Sequence, residues 1–233
     1  YWACETFKSR FKKSKVINED ITSDKFKNIL KKQIKKTKIE GVVAGLPCQS
    51  FSSVGRAQDK YSMAKDKRNY FYKDFFECLK IIKPNFFVFE NVRGILSAKP
   101  NGVKVFDNIL KLSKKLGYVT LDDTNKMVFD TSDYGVPQTR KRVFVIGIKK
   151  KYSKLIPKIY EDLIYAQKDK NKYTVKDAIS DLPFLRPGEG IEKITVLKKN
   201  KNNYLKKIKN SKFIYNHVAR KHNEKDRKRY KYM

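Results

Sequence analysis

The 233-residue chain has few of the residues that build disulfide frameworks and metal centres. It contains three cysteines, two histidines and one tryptophan, and the cysteines are widely separated at Cys4, Cys48 and Cys78. An odd number of scattered cysteines argues against a disulfide framework and for a reducing compartment. His217 and His222 have no cysteine or suitably spaced ligand near them in the sequence, so no metal site is expected.

The chain also lacks long apolar runs. No run approaches the roughly 20 apolar residues of a membrane-spanning helix. The apolar segment of a secretory signal is missing as well. We therefore expect no membrane association and a cytoplasmic location.

Acidic residues are scarce beside basic ones. Lys and Arg number 55 against 24 Asp and Glu, which gives a net charge of +31. A surface this positive attracts polyanions, and a nucleic-acid backbone is the usual partner. A biased composition that places lysine on every solvated face is the alternative.

The apolar residues that are present suffice for one core, since 40% of the chain is hydrophobic and 15 residues are Phe. Apolar runs of strand length alternate with helical patterns. Strands are predicted over residues 15–18, 41–46, 86–89, 118–122, 126–129 and 142–148. Helices are predicted over residues 2–11, 69–83 and 104–116, and from an N-cap at Ser23. The helix at 69–83 has Phe71, Phe75, Cys78, Leu79 and Ile82 at helical spacing, which predicts Cys78 as a core residue. This alternation predicts a three-layer α/β domain with a mainly parallel sheet, running to about residue 150.

Residues 46–52, with the sequence LPCQSFS, are the most informative stretch. Pro47 has no backbone N–H to continue a ladder, so the buried strand ends there. Cys48 then lies at the carboxyl end of a strand, where open α/β sheets bind their ligands. Its thiol is a candidate nucleophile. A small buried core residue is the alternative for a lone cysteine.

Polar residues lie at two further places, directly after the strand predicted over 86–89 and at the start of the strand predicted over 142–148. Glu90 comes directly after four apolar residues, where a carboxylate is costly to bury without a partner. Arg140 and Arg142 flank the start of the last strand. A salt bridge is the alternative role for Glu90, and an ordinary basic strand edge is the alternative for the arginines. Together with Cys48 they describe a pocket with a thiol, an acid and paired guanidinium donors.

Three motifs in order make the chain resemble the DNA cytosine-5 methyltransferases of bacterial restriction–modification systems. They are Pro47-Cys48-Gln49 with Phe51-Ser52, then Glu90-Asn91-Val92, then residues 133–138 (DYGVPQ) leading to Arg140 and Arg142. The resemblance implies a Rossmann-like methyltransferase domain whose mainly parallel sheet contains an antiparallel strand. It also implies transfer of a methyl group from S-adenosyl-L-methionine to C5 of a cytosine flipped out of double-stranded DNA.

The resemblance assigns catalytic roles to four residues. Cys48 is expected to add to C6 of the cytosine, and Glu90 to hold N3 and the exocyclic amine. Arg140 or Arg142 is expected to bind the cytosine O2, where negative charge develops.

Binding roles follow from the same resemblance. Asp20 is expected to accept the adenine amino group of the cofactor, with Ile21 packed on the ring. Phe71 lies in a segment expected to contact the cofactor, although Asn69 replaces a glycine of the family's pattern there. The residues expected to contact DNA or the target base are Pro47, Gln49, Ser52 and Arg56.

Two motifs of the family are missing from the sequence, a Phe-x-Gly-x-Gly turn and a Gln-x-Gly-Asn-like run. We therefore expect a fragment without the first strand and the C-terminal part. Residues 1–150 would be an N-terminally truncated catalytic domain, and residues 151–233 a basic lead-in to a target-recognition domain. The missing strand would leave strand 41–46 at an open edge, so this piece alone is expected to be inactive.

The sequence leaves other functions open. A tRNA cytosine-5 methyltransferase shares the same motifs, and a non-catalytic nucleic-acid-binding remnant is a third reading. If the chain is a DNA cytosine-5 methyltransferase, we expect a monomer that acts beside a cognate restriction endonuclease.

Overall fold

A computed structural model describes residues 1–48, 51, 66–165, 171–195, 202–208 and 213–231. The chain divides into two compact units. The first comprises Tyr1–Asp130 and Lys141–Gln167, and the second comprises Thr131–Arg140 and Lys168–Met233. Among the described helices, none combines the length and apolarity that a membrane span needs.

The described part of the first unit contains five strands and five α-helices. The strands are β1 (Gly41–Gly45), β2 (Phe86–Val92), β3 (Tyr118–Val119), β4 (Val128–Asp130) and β5 (Lys141–Lys149). The helices are α1 (Trp2–Arg10), α2 (Asp24–Ile34), α3 (Phe71–Ile82), α4 (Val105–Lys115) and α5 (Ile156–Tyr165). Short 3-10 helices cover Lys67–Tyr70, Arg93–Leu96, Pro100–Gly102, Thr124–Met127 and Lys150–Leu155.

The sheet of this unit has the order β1-β2-β5-β3, and β4 also pairs with β5. β1 is parallel to β2, whereas β2, β3 and β4 each run antiparallel to β5. Four described strands therefore point the same way, and β5 alone is reversed. This confirms the prediction of a mainly parallel sheet with an antiparallel strand. Because the reversed strand is central, three of the four pairings are nevertheless antiparallel.

Helices cover both faces of the sheet. On one face, the Phe75 ring of α3 lies 5.6 Å from Phe87 and 5.5 Å from Phe89, measured between ring centroids. On the other face, Tyr160 of α5 stacks on Phe129 of β4 at 6.5 Å. Side chains alternate between faces along a strand, so α3 and α5 lie on opposite sides. The predicted three-layer arrangement is confirmed.

The helix termini have the local signals that the sequence predicts. The Ser23 hydroxyl accepts a hydrogen bond from the Phe26 N–H at 3.0 Å and so caps α2. α3 ends with Lys83 in the left-handed conformation (φ 52°), directly before Pro84. Gly117 follows α4 with φ 76°, a conformation that glycine adopts without steric cost.

Three strand predictions need correction. Residues 15–18 form no strand, since only two adjacent apolar residues carried that pattern. β3 and β4 are shorter than predicted because the Tyr160 hydroxyl occupies the gap between them on β5. It donates to the Phe144 carbonyl at 2.8 Å and accepts from the Ile146 N–H at 2.9 Å.

The second unit is built around a two-stranded antiparallel ribbon. Its described elements are α6 (Val175–Ile179), β6 (Gly190–Thr195), α7 (Asn203–Ile208), β7 (Phe213–Val218) and α8 (Glu224–Lys231), with a 3-10 helix at Thr131–Tyr134. A capping box between Thr174 and Asp177 begins α6. The predicted functional boundary near residue 150 remains a prediction, because compactness alone does not report function.

Candidate active site

Cys48 lies just beyond the carboxyl end of β1, where the chain turns. The Asn91 side-chain amide donates to the Leu46 carbonyl at 3.4 Å. The Phe51 N–H donates to the Cys48 carbonyl at 3.0 Å, and the Phe51 side chain is buried in the core. The backbone of Cys48 is thus fixed on both sides. Its side chain is half-buried and in no disulfide, so a substrate can reach the thiol.

The other two cysteines have different surroundings. Cys78 lies in the core, as predicted, and burial raises the pKa of its thiol. A buried neutral thiol is unreactive. Cys4 is half-buried on α1. Cys48 is therefore the described cysteine that combines access with a fixed position beside polar groups.

Glu90 lies within β2, which continues to Val92, and not after its end as the sequence suggested. It is in register with Gly45 of β1. A Cβ atom at Gly45 would lie 3.3 Å from Glu90 Oε2, so the carboxylate leans over the glycine. The other oxygen, Oε1, lies 3.1 Å from Arg142 Nε. Arg142 is in register with Val92, which makes it the diagonal neighbour of Glu90 on the same face.

The Arg142 guanidinium is held at two points. Besides the contact with Glu90, its Nη1 donates to the Lys141 carbonyl at 2.8 Å. Arg142 thereby fixes the orientation of the Glu90 carboxylate. The contact is the salt bridge considered as the alternative role of Glu90. The Glu90 side chain nevertheless stays 32% exposed, so its carboxylate remains accessible to a ligand.

Cys48 and Glu90 belong to one end of the sheet. Gly45 lies opposite Glu90, and Cys48 follows Gly45 by three residues. Three residues of extended chain span at most about 11 Å. Cys48 therefore lies within about 11 Å of the β1 position that faces Glu90.

Arg140 lies in a loop that belongs to the second unit. Its carbonyl accepts from the Thr131 N–H at 3.1 Å, and the Thr131 hydroxyl donates to the Gln138 carbonyl at 2.7 Å. Gly135 supplies a positive φ of 76° inside this loop. These bonds close residues 131–140 into a defined turn, with the Arg140 side chain exposed. Its role toward cytosine stays a prediction.

One of the four residues predicted to contact DNA or the target base lies among the described residues. Pro47 is described and exposed directly after β1. Gln49, Ser52 and Arg56 lie outside the described residues, so their roles stay predictions.

Asp20 and Ile21 suit the adenine end of a nucleoside cofactor. The Thr22 backbone N–H and hydroxyl both donate to Asp20 Oδ1 at 2.8 Å, and these bonds lower the pKa of the carboxyl. The ionised carboxylate keeps Oδ2 as an acceptor for an amino group. Ile21 beside it is half-buried and offers an apolar surface. Phe71 begins α3, on a separate element, and its place in the same site stays a prediction.

Comparison with known proteins identifies the family. A model of the family described as C-5 cytosine-specific DNA methylase matches residues 1–233. The chain belongs to this family.

Individual members show how much of the family's length is present. The type II methyltransferase M.DdeI of Desulfomicrobium norvegicum is 35% identical over 228 residues, which cover 96% of this chain and 51% of that protein. The type II methyltransferase M.Bpa9945I of Bacillus paralicheniformis is 39% identical over 158 residues, covering 66% of this chain and 34% of that protein. The chain thus spans between a third and a half of these relatives.

A solved structure is similar over nearly the whole chain. It belongs to a protein of E. coli, assigned as a DNA modification methyltransferase encoded within a prophage. The match has a TM-score of 0.67 and 27% sequence identity, and it covers 98% of this chain and 65% of that chain. The methyltransferase fold predicted from the motifs is therefore confirmed.

Two residues of this site were not given roles from sequence. Asn91 is 1% exposed, and its amide holds the turn that carries Cys48. Gly45 leaves room for the Glu90 carboxylate. A polar residue at an inward position of a strand was the available signal for Asn91. A glycine at a strand end was a weaker signal for Gly45.

Proposed function

We propose that the chain carries the catalytic centre of a DNA cytosine-5 methyltransferase, which methylates C5 of a flipped-out cytosine through a covalent adduct with Cys48. The observation that carries the proposal is the position of Cys48 in a fixed turn at the same sheet end as the Glu90–Arg142 pair. The DNA substrate is supported by the family and by the type II methyltransferases similar to this chain. The target base has to leave the stack to reach a side chain at a sheet end.

Cys48 would begin the reaction. Its thiolate adds to C6 of the cytosine, forming an Sγ–C6 bond and moving the electrons of the C5–C6 double bond toward N3. Glu90 would donate its carboxyl proton to N3, where the shifted electron density accumulates, and accept a hydrogen bond from the exocyclic amine. Arg142 keeps the Glu90 carboxylate in place through its two contacts. Arg140 would supply a donor to O2, where further negative charge develops.

The methyl group would come from S-adenosyl-L-methionine, with Asp20 and Ile21 holding its adenine. C5 of the adduct would bond to the methyl carbon as the bond between that carbon and the sulfonium sulfur breaks, and S-adenosyl-L-homocysteine would leave. A base would then remove the C5 proton. The freed electron pair re-forms the C5–C6 double bond and expels Cys48 as a thiolate.

Residues 1–233 alone would not complete this reaction. In the described part of the molecule β1 is an edge strand of the sheet, and its Val43 side chain is 74% exposed. An exposed apolar edge strand can pair with other chains, and native proteins commonly cover such an edge. The chain also spans only about half of the M.DdeI length. Partnership with a cognate endonuclease and a monomeric state belong to the same proposal.

Trapping with a mechanism-based substrate tests the proposal. The protein from the complete reading frame is incubated with S-adenosyl-L-methionine and a duplex whose target cytosines are 5-fluorocytosine. Fluorine at C5 blocks the final proton removal, so a covalent protein–DNA adduct should accumulate on a denaturing gel. Cys48→Ser should abolish it. Residues 1–233 alone should give none.

Cys4→Ser is the matched control, because Cys4 is also half-buried and in no disulfide. It should leave the adduct yield unchanged. If Cys48→Ser leaves the yield unchanged, the mechanism is wrong. An adduct formed by residues 1–233 alone would contradict only the proposed dependence on further chain.

A further inference from the structure

One face of the β6–β7 ribbon carries exposed apolar and basic side chains. Register pairs Lys193 with Tyr215 and Thr195 with Phe213, so these four side chains point to the same side. With Ile191 they form what we term the ribbon face. Ile191 and Tyr215 are 61% and 56% exposed. Ile194 and Ile214, which pair on the opposite face, are half-buried, so at this end of the ribbon the side with Lys193, Phe213 and Tyr215 is the more exposed one.

The two aromatic rings of the ribbon face hold a lysine between them. Lys193 Nζ lies 4.3 Å from the centroid of the Phe213 ring and 5.7 Å from that of Tyr215. The ring centroids are 6.2 Å apart, with their planes inclined at 59°. A cation over an aromatic face is attracted by the ring quadrupole. The rings therefore restrict a side chain that would otherwise sample many rotamers.

The sequence that contains the ribbon face is strongly basic, which favours a polyanionic partner. Residues 190–233, which begin with β6, contain 15 Lys and Arg against three acids, Glu192, Glu224 and Asp226. A restricted ammonium group has less conformational entropy to lose on binding than a free one. Such a group suits a phosphate, which must be met at a fixed position along a nucleic-acid backbone.

We infer that the ribbon face docks on the backbone of duplex DNA, with Lys193, positioned by Phe213 and Tyr215, contacting a phosphate. This inference rests on the proposed function for its DNA substrate and adds a contact surface to it. A two-stranded ribbon has dimensions that match a groove of B-form DNA. A single-stranded partner would need open ring faces for base stacking. The ammonium of Lys193 occupies the face of Phe213, which favours the duplex.

Fluorescence anisotropy of the 233-residue chain with a labelled mixed-sequence duplex, measured across a salt series, tests this contact. Lys193→Gln should weaken binding about five- to tenfold and lower the slope of log K against log salt by about 1. Phe213→Leu or Tyr215→Leu should weaken binding about threefold with the slope retained. In the Lys193→Gln background these two changes should have no added effect. Circular dichroism and thermal melting confirm that each variant is folded.

Lys206→Gln is the matched control, since Lys206 is an exposed lysine on α7 of the same unit. It removes one charge without a cation–aromatic contact and should weaken binding less than twofold. Equal effects of Lys193→Gln and Lys206→Gln would overturn the inference, as would absence of duplex binding at low salt. Tighter binding to a single strand, with the Phe213→Leu loss persisting without Lys193, would indicate base stacking and also overturn it.

The trapping experiment separates this inference from the proposed function. Lys193→Gln leaves Cys48 intact, so saturating DNA should restore the adduct in that variant. If Cys48→Ser proves silent while Lys193 behaves as described, the catalytic proposal fails and the docking surface stands. If trapping succeeds and Lys193→Gln weakens DNA binding no more than Lys206→Gln, the catalytic proposal stands and the docking surface fails.

Discussion

The two faces of the β1–β2 pair differ in how completely they are packed. On the face toward α3, Phe87 and Phe89 are at most 1% exposed. On the opposite face, Val43 is 74% exposed and Phe86 is 40% exposed. Both faces belong to the same two strands, so strand propensity cannot explain the difference. It reflects which face has a helix against it in the described part of the chain.

The face toward α3 is here called the covered face, and the face with Val43 and Phe86 the open face. The open face also carries the charged candidates for catalysis. Glu90 continues the row of Phe86 and Val88 along β2, and Arg142 lies beside it on β5. The polar residue on the covered face, Asn91, is used to hold the Cys48 turn. The covered face therefore determines stability, while the open face leaves reactive groups accessible.

Phe87→Ala should give the largest loss of stability. The Phe87 ring lies directly against Gly147, where a Cβ would come within 2.1 Å of it, and it packs on Phe75 at 5.6 Å. Neither neighbour can fill the space left behind, so we expect the free energy of unfolding to fall by about 3–5 kcal/mol. Urea unfolding followed by circular dichroism measures it. Phe86→Ala on the open face is the control and should cost about 1 kcal/mol. Similar losses for both would contradict the comparison.

The sequence predicts local structure well where that structure depends on neighbouring positions in the chain. The helical spacing of Phe71, Phe75 and Leu79 predicted α3, and the motif around Cys48 located the turn after β1. Cys78 was correctly predicted as a core residue for the same reason. In these cases the periodicity of a single segment carries the information.

Features that depend on long-range pairing were not predictable. The ion pair of Glu90 and Arg142 follows from the register of β2 against β5, which no single segment encodes. The exposure of Val43 likewise depends on what packs against β1. The Tyr160 hydroxyl, which bonds to β5 between the pairings of β3 and β4, makes hydrogen bonds to residues 14 and 16 positions away in the sequence. Tertiary context overrides strand propensity at such places.

Tyr160→Phe should have an intermediate effect on the free energy of unfolding. Tyr160 belongs to α5, which lies on the face of the sheet opposite α3. The substitution leaves the Phe144 carbonyl and the Ile146 N–H without their hydroxyl partner. Buried backbone groups that lose a partner cost about 1–3 kcal/mol, so a loss of about 2 kcal/mol is expected. Urea unfolding at neutral pH measures it.

The same variant has a characteristic pH dependence. Burial raises the pKa of Tyr160 to about 12, against about 10 in an unfolded chain. The raised pKa means that the stabilising contribution is complete below pH 10 and is lost as the pH rises from 10 to 12. Tyr160→Phe lacks this loss. The stability gap between the native chain and the variant should therefore narrow over that range, and a constant gap would show that the pKa of Tyr160 is the same in the folded and the unfolded chain.

Val43→Thr should have the smallest effect and tests the open face directly. Threonine keeps the shape of valine and its β-branch but adds a hydroxyl, which is costly only where no partner or water can meet it. At Val145, which is fully buried on the covered face of β5, the same change should cost about 1–3 kcal/mol. At Val43 the free energy of unfolding should change by less than about 0.5 kcal/mol, as is usual at exposed positions. Repeating the pair in the protein from the complete reading frame sharpens the comparison. If a further segment covers Val43 there, Val43→Thr becomes as costly as Val145→Thr, whereas two small values would mean that this face stays open.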